Sequence, residues 1–257
     1  MKIKYYSIND GVFSVRCKLC YNDLHAVDAV VIAFHGFGGH KDNRAAERFA
    51  DRALSRYPHT ALLSFDLPCH GEDGQKKLSL AACDRYITLV LNDVREKYPE
   101  AELYAYATSF GAWLCLKYLQ DHGNPFRKIV LRCPSLRMLE AMQVRILSSA
   151  DLEKLGKNRE VLAGFDRKVK ISSEFMRELE TAEVSEADFL PFADDLLILH
   201  GTKDEIIPIA YSRDFADRNV IELIEVKNAD HRFSDPQIMN QAIADSLKFL
   251  FESGEKI

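Results

Sequence analysis

The chain has 257 residues, of which 47% are hydrophobic and 28% charged, with a net charge of −5. The length suits one α/β domain with an insertion, and an acidic balance without a basic block argues against a nucleic-acid partner. No apolar run reaches the roughly 18–20 residues that cross a bilayer, and the polar start MKIKYYSINDG lacks a signal-peptide core. The expectation is a cytoplasmic protein without membrane insertion.

Residues 2–8 and 12–21 alternate with the strand period and flank Asn9-Asp10-Gly11, a hairpin signal. Residues 28–34 (DAVVIAF) are a continuous apolar run, as expected of a strand covered on both faces. They end in His35-Gly36-Phe37-Gly38-Gly39 and are followed by helical spacing over 44–56. Residues 60–65 (TALLSF) repeat the buried-strand pattern and stop at Asp66-Leu67-Pro68-Cys69-His70-Gly71, before an amphipathic helix over 79–97. Residues 101–107 alternate again and break at Thr108-Ser109-Phe110-Gly111 directly into a helical pattern. The next strand is 128–133. From about 135 to 190 the chain is charge-rich, with few strand signals and three aromatics, Phe165, Phe175 and Phe189. Residues 194–200 (DDLLILH) return to the strand pattern and lead into Gly201-Thr202-Lys203-Asp204. A helix over 208–217, a strand over 220–226, a loop holding Asp230-His231 and a helix over 238–251 complete the chain.

Strands alternating with helices after a hairpin predict an α/β fold, a mostly parallel eight-stranded sheet with helices on both faces. Sites in such sheets gather at the carboxyl ends of the strands. His35, Asp66, Ser109, Asp204 and His231 all fall at such ends. Ser109 stands at a strand-to-helix junction between the small residues Ala107 and Gly111, a turn that lifts a hydroxyl clear of the backbone. A serine needs a base within hydrogen-bond reach, and the base needs an orienting acid. His231 and Asp204 are the candidates for these roles. Glu205 and Asp230 are weaker candidates for the acid, because their backbone positions aim them elsewhere. Cys17 and Cys20 form a lone C-x-x-C inside a strand, where residues three apart face opposite sides. They read as small apolar fillers rather than a metal or redox pair.

Five motifs carry a family resemblance: FHGFGG (34–39), FDLPCHG (65–71), ATSFGA (107–112), HGTKDEIIP (200–208) and ADHRF (229–233). With the order serine, acid, histidine, they resemble the α/β-hydrolase superfamily. The likeness is to its capped serine hydrolases, the cinnamoyl/feruloyl esterases and monoacylglycerol lipase-like carboxylesterases. The resemblance implies an α/β-hydrolase fold over 1–257 as a single domain, with a small cap at about 135–190 after the sixth strand. It implies an oxyanion hole made by the backbone N–H groups of Phe37 and Phe110. It also makes Phe37, Phe110 and Phe175 candidates for lining the substrate pocket. His35, His70 and Asp66 stand at strand ends and carry metal-ligand atoms. In the family these positions stabilise loops, so no metal and no cofactor are expected, and Asp66 is read as accepting backbone N–H bonds. Two residues depart from the family pattern: Ala107 stands where the elbow usually begins with glycine, and Thr108 where histidine is common.

The function implied is a serine carboxylesterase acting on a small-molecule ester of small to medium acyl length. An aminopeptidase, amidase or thioesterase on the same triad is the enzymatic alternative. An aminopeptidase would need an acidic anchor for the substrate amine, for example Glu140 or Glu174 of the cap. A ligand-binding or scaffolding member of the fold is the non-enzymatic one.

Overall fold

The computed structural model describes residues 1–165 and 167–252. Residue 166 of the expected cap and residues 253–257 of the expected domain lie outside the described residues. Six strands precede the charge-rich segment: β1 (Lys2–Asn9), β2 (Ser14–Tyr21), β3 (Ala29–Phe34), β4 (Thr60–Phe65), β5 (Glu102–Thr108) and β6 (Lys128–Arg132). Two short strands, β7 (Val161–Ala163) and β8 (Val169–Ile171), pair with each other inside that segment. After it come β9 (Leu196–Gly201) and β10 (Glu222–Val226). The eight long strands make one sheet in the order β1-β2-β4-β3-β5-β6-β9-β10. It is antiparallel from β1 through β2 to β4 and parallel from there on.

The continuous apolar strands are explained by two cores. Val30, Ile32 and Phe34 of β3 enter one, while Ala29, Val31 and Ala33 enter the other. This is the period-2 alternation of a strand covered on both faces. Helices α1 (Arg44–Arg56) and α8 (Pro236–Glu252) cover the face of the second core. Helices α2 (Leu80–Lys97) and α3 (Phe110–His122) cover the other, where the fully buried Trp113 sits. Cys17 and Cys20 follow the same rule, one in each core. Asparagine and serine caps start the helices: Asn43 accepts from Ala46 N–H (2.9 Å) and Ser79 from Ala82 N–H (3.2 Å).

Between β6 and β9 the chain forms α4 (Met138–Ala141), a wider turn through Met142–Ile146, α5 (Ser149–Gly156), the β7–β8 ribbon and α6 (Ser173–Thr181). The ribbon has no counterpart among the expected strands. Three residues per strand are too few to display a period. After Ile171 the chain steps into α6, which Ser172 caps by accepting from Phe175 N–H (3.2 Å). Helix α7 (Ile209–Asn219) connects β9 to β10. Among the described residues no helix is long and apolar enough to cross a membrane.

Candidate active site

Ser109 is the single residue between β5 and α3, with φ 53° and ψ −115°. A non-glycine residue in such a conformation costs on the order of 1–3 kcal/mol unless its surroundings hold it. Here they do: Ser109 N–H donates to Arg132 O (3.0 Å), and Ser109 O accepts from Trp113 N–H (3.0 Å). The tightness of the turn explains its small flanking residues. A Cβ on Gly111 would lie 2.5 Å from His35 O and 2.8 Å from Phe34 C, so only glycine fits there. At 107, on the strand side, alanine is accommodated in full burial.

His231 lies in the loop between β10 and α8. Its Nδ1–H donates to Asp204 Oδ2 (2.7 Å), and its Nε2 accepts from Ser109 Oγ–H (3.0 Å). A carboxylate facing Nδ1 keeps the proton on that nitrogen and leaves Nε2 as the acceptor. Asp204 is fixed in turn. Its Oδ1 accepts from Ile206 N–H (2.9 Å) and Ile207 N–H (2.8 Å). Its Oδ2 also meets Nε2 of the fully buried His200 at 3.1 Å. Burial pushes the Asp204 carboxyl up, but the hydrogen bonds from His200 and His231, the His231 charge and the Ile207 N–H outweigh it. The group is held well below the usual carboxylate range. Glu205 is exposed, and Asp230 instead accepts from Ser234 N–H (2.8 Å).

The His35–Gly39 loop closes against this turn. A Cβ on Gly36 would lie 3.3 Å from Ser109 Cβ. The Gly39 N–H to Gly36 O turn (2.9 Å) leaves Phe37 N–H outside its hydrogen bond. Phe110 opens α3, where an N–H has no acceptor four residues back. These are two N–H donors on the loop and the helix that flank the Ser109 hydroxyl. A cavity of about 550 Å³ opens there, lined by Ser109, His231, Phe37, Met138 and Ile146 among others.

A family model described as serine aminopeptidase, S33, matches residues 25–168, more than half of the chain. The chain belongs to the serine aminopeptidase S33 family. The matched stretch contains Ser109 and the His35–Gly39 loop, and the fold brings Asp204 and His231 to them from outside it. Est1E from Butyrivibrio proteoclasticus, solved with ferulic acid bound, superposes with a TM-score of 0.78 at 19% identity, covering 96% of this chain and 98% of that one. A putative hydrolase from Agrobacterium vitis S4 gives 0.77 at 17%, covering 97% and 98%. A soluble variant of monoglyceride lipase from Saccharomyces cerevisiae, in complex with a substrate analogue, gives 0.73 at 16%, covering 97% and 94%. A comparison with curated protein sequences finds no match.

In this S33 family member the remaining candidates have defined places. Phe37 lines the cavity. Phe110 and Phe175 do not; both rings are fully buried and meet edge-to-face (centroids 6.4 Å apart). The physical reason is that Phe110 follows the hydroxyl-bearing residue directly into α3, so its ring enters the core beneath the turn, stacked toward Trp113. Glu140 accepts from Tyr211 O–H and Glu174 pairs with Lys77, and neither lines the cavity. Asp66 is fully buried and accepts from Lys41 N–H (2.7 Å) and Glu72 N–H (2.9 Å). His35 donates from Nδ1 to Gly36 O (2.8 Å) and accepts at Nε2 from Leu67 N–H (3.1 Å), so both ring nitrogens are spent on loops.

Sequence reasoning passed over three residues. Ser135 Oγ lies 3.1 Å from Ser109 Oγ and stands just past a strand end, where the carboxyl-end rule points. His200 was visible inside HGTKDEIIP without a role. Arg132 gave no signal, since a cation at the end of a strand is expected in solvent.

The histidines predict how stability follows pH. Burial pushes His70 down to about 4, against the opposing Pro68 carbonyl and Asp73 charge, and pushes His35 well below its ordinary value, with His70 adding to the effect. Between about 4 and the ordinary 6.5 the unfolded chain therefore binds more protons than the folded one, and stability rises with pH. For His70 the contribution is about 3 kcal/mol, complete above pH 6.5 and lost as pH falls toward 4. Urea unfolding at pH 7 and pH 5 is expected to show His70→Leu losing less stability over that interval than the unsubstituted protein. Equal losses would assign the pH dependence to other groups.

Proposed function

We propose that the protein is a serine carboxylesterase that hydrolyses small to medium acyl esters through an acyl-enzyme on Ser109. The observation that carries this reading is the unbroken hydrogen-bonded series from Ser109 Oγ through His231 to Asp204, opening on a cavity. His231 Nε2 takes the Ser109 proton as Oγ attacks the ester carbonyl carbon. The N–H groups of Phe37 and Phe110 hold the oxyanion, each such donor being worth about 10²–10³ in rate. Collapse of the tetrahedral intermediate breaks the ester C–O bond, and His231 gives its proton to the leaving alcohol. Water then attacks the acyl-enzyme with His231 again as base, and the acid leaves as the proton returns to Ser109. Asp204 holds the imidazole tautomer and stabilises its cation. Residues 135–190 act as a cap over the cavity of a single catalytic domain, and the substrate is a small molecule.

Ester over amide is favoured by the acidic groups. An aminopeptidase holds the substrate's amine with a carboxylate. Among the described residues the cavity is lined by one carboxylate, Asp42, which Tyr5, Lys18 and Lys41 already engage. The ferulic acid in the Est1E structure and the substrate analogue in the monoglyceride lipase structure support the same choice. The test is fluorophosphonate labelling mapped by mass spectrometry, followed by p-nitrophenyl butyrate and an aminoacyl naphthylamide as substrates. Label on Ser109 with turnover of the ester is expected. Turnover of the naphthylamide alone would favour the amidase, and absence of label on the folded protein would favour a ligand-binding member.

A further inference from the structure

The cavity does not stop at Ser109. It continues along the α1 face of the sheet, where it is lined by Thr108, Arg132, Tyr106, Ala33 and Ala46. Register explains the grouping: Arg132 pairs with Thr108 across β5 and β6, and Ala33 pairs with Tyr106 across β3 and β5. Tyr106 and Thr108 are two apart on one strand and share a face. Thr108, Ala33 and Ala46 contribute small side chains to this part of the wall.

Two buried side chains, Arg132 and Tyr106, bring donors to it. Arg132 is 5% exposed and Tyr106 2% exposed. The Arg132 Nη1 donates to Arg232 O (2.9 Å), its Nη2 to Thr108 Oγ1 (3.4 Å), and the guanidinium lies 5.2 Å over the Phe233 ring. Its Nε–H, however, is buried without a partner among the described residues, and so is the Tyr106 hydroxyl. Among the described residues no carboxylate forms an ion pair with Arg132. A buried cation without a counter-ion is costly unless something else supplies the negative charge. The compartment also receives the N-terminus of α1, a 13-residue helix, with Asn43 through Ala46 on the cavity wall. Asn43 Oδ1 takes the Ala46 N–H, while the Arg44 and Ala45 N–H groups have no acceptor within the helix. The helix dipole there favours negative charge. The Tyr106 ring lies 4.5 Å from that of Phe49, which ties it to the same helix.

We propose that this compartment is a carboxylate subsite, so that the preferred substrate is an ester bearing a carboxylate, received by Arg132, Tyr106 and the α1 N-terminus. The inference rests on the esterase reading above. A guanidinium suits the role because Nε–H and an Nη–H can donate in parallel to the two carboxylate oxygens. Tyr106 is three residues before Ser109, so the subsite extends to about 10 Å from the reacting hydroxyl along an extended strand. That spacing fits a short dicarboxylic half-ester or an acylated hydroxy acid.

The test compares kcat/KM for monomethyl adipate against methyl hexanoate, which places the carboxylate on the acyl side. Butyryl glycolate against ethyl butyrate places it on the alcohol side. At least one charged ester is expected to exceed its neutral counterpart about tenfold or more, as for a hydrogen bond to a charged group. Tyr106→Phe and Arg132→Lys are each expected to reduce that ratio about fivefold or more. Arg132 also tethers the His231 loop through Arg232 and Phe233. A purely structural role would therefore lower the rate on both esters alike and leave the ratio unchanged. Ratios near one in both pairs, or ratios that the variants do not alter, overturn the subsite while leaving the esterase standing. If no ester is turned over, the esterase reading fails. Calorimetric titration of the Ser109→Ala protein with adipate then decides the subsite: binding weakened by Tyr106→Phe supports it, and no binding overturns it.

Discussion

Ser109→Ala is expected to lower kcat/KM on p-nitrophenyl butyrate by about 10⁶, the scale on which a triad serine acts when its base and acid remain. The loss is chemical rather than structural. Alanine keeps the Cβ that faces Gly36 and gives up two side-chain hydrogen bonds, to His231 and to Ser135. The turn itself is held by backbone bonds to Arg132, Trp113 and Ser135, which do not need the hydroxyl. Circular dichroism and the thermal midpoint should therefore stay close to those of the parent. The measurement is a full kinetic comparison on the purified variant. Retention of activity within tenfold would remove Ser109 from the mechanism and direct attention to Ser135, the neighbouring hydroxyl. Ser135→Ala on that background would then be decisive.

Asp204→Asn is expected to lower kcat by about 10⁴ with a smaller effect on KM, because a carboxamide disturbs the histidine tautomer without removing the histidine. The Asn oxygen is drawn to the Ile206 and Ile207 N–H groups that Oδ1 now serves. This turns the NH₂ toward His231 Nδ1. Nδ1 must then accept, Nε2 carries the proton, and Ser109 loses its base. The same NH₂ faces the Nε2 of His200, which already lies 3.0 Å from Ile207 O and carries its proton there. Two donors opposed in a buried site destabilise the fold, so the variant should also unfold at lower urea concentration at pH 7. The sign with pH follows from the depressed native carboxyl. Its contribution is present above the ordinary carboxylate value of 3.8 and is lost as pH falls below it. The stability gap between parent and variant should therefore narrow under acid. A gap that widens, or a variant with unchanged kcat, would rule out Asp204 as the orienting acid.

The extent to which the site could be read in advance varied from residue to residue. Ser109 was legible because a strand pattern breaks into a helix pattern within three residues, and few local structures allow that. Asp204 and His231 were legible as residue types at strand ends, and their choice over Glu205 and Asp230 rested on backbone direction. Phe110, a candidate pocket wall from its position after the serine, lies instead in the core. A sequence shows that an aromatic follows the serine, but the direction of its ring depends on how closely β5 approaches α3. The β7–β8 ribbon was missed because its strands are too short to show a period. It nonetheless reaches the His35–Gly39 loop: a Cβ on Gly38 would lie 3.0 Å from Arg167 O.

The amino-acid sequence by itself determined the class of the fold, the order of its strands along the chain, and which side chains stand at their carboxyl ends. These follow from local periodicity and turn chemistry, which act over a few residues. Only the tertiary structure decided which of those ends converge. The 3.0 Å contact between His231 and Ser109 joins residues 122 apart. It depends on sheet order, with β9 and β10 stacked beyond β6. Tertiary structure also decided that Arg132 is buried beside Tyr106, with no counter-ion among the described residues. Charge and exposure are set by what packs around a residue, and no pattern along the chain records that.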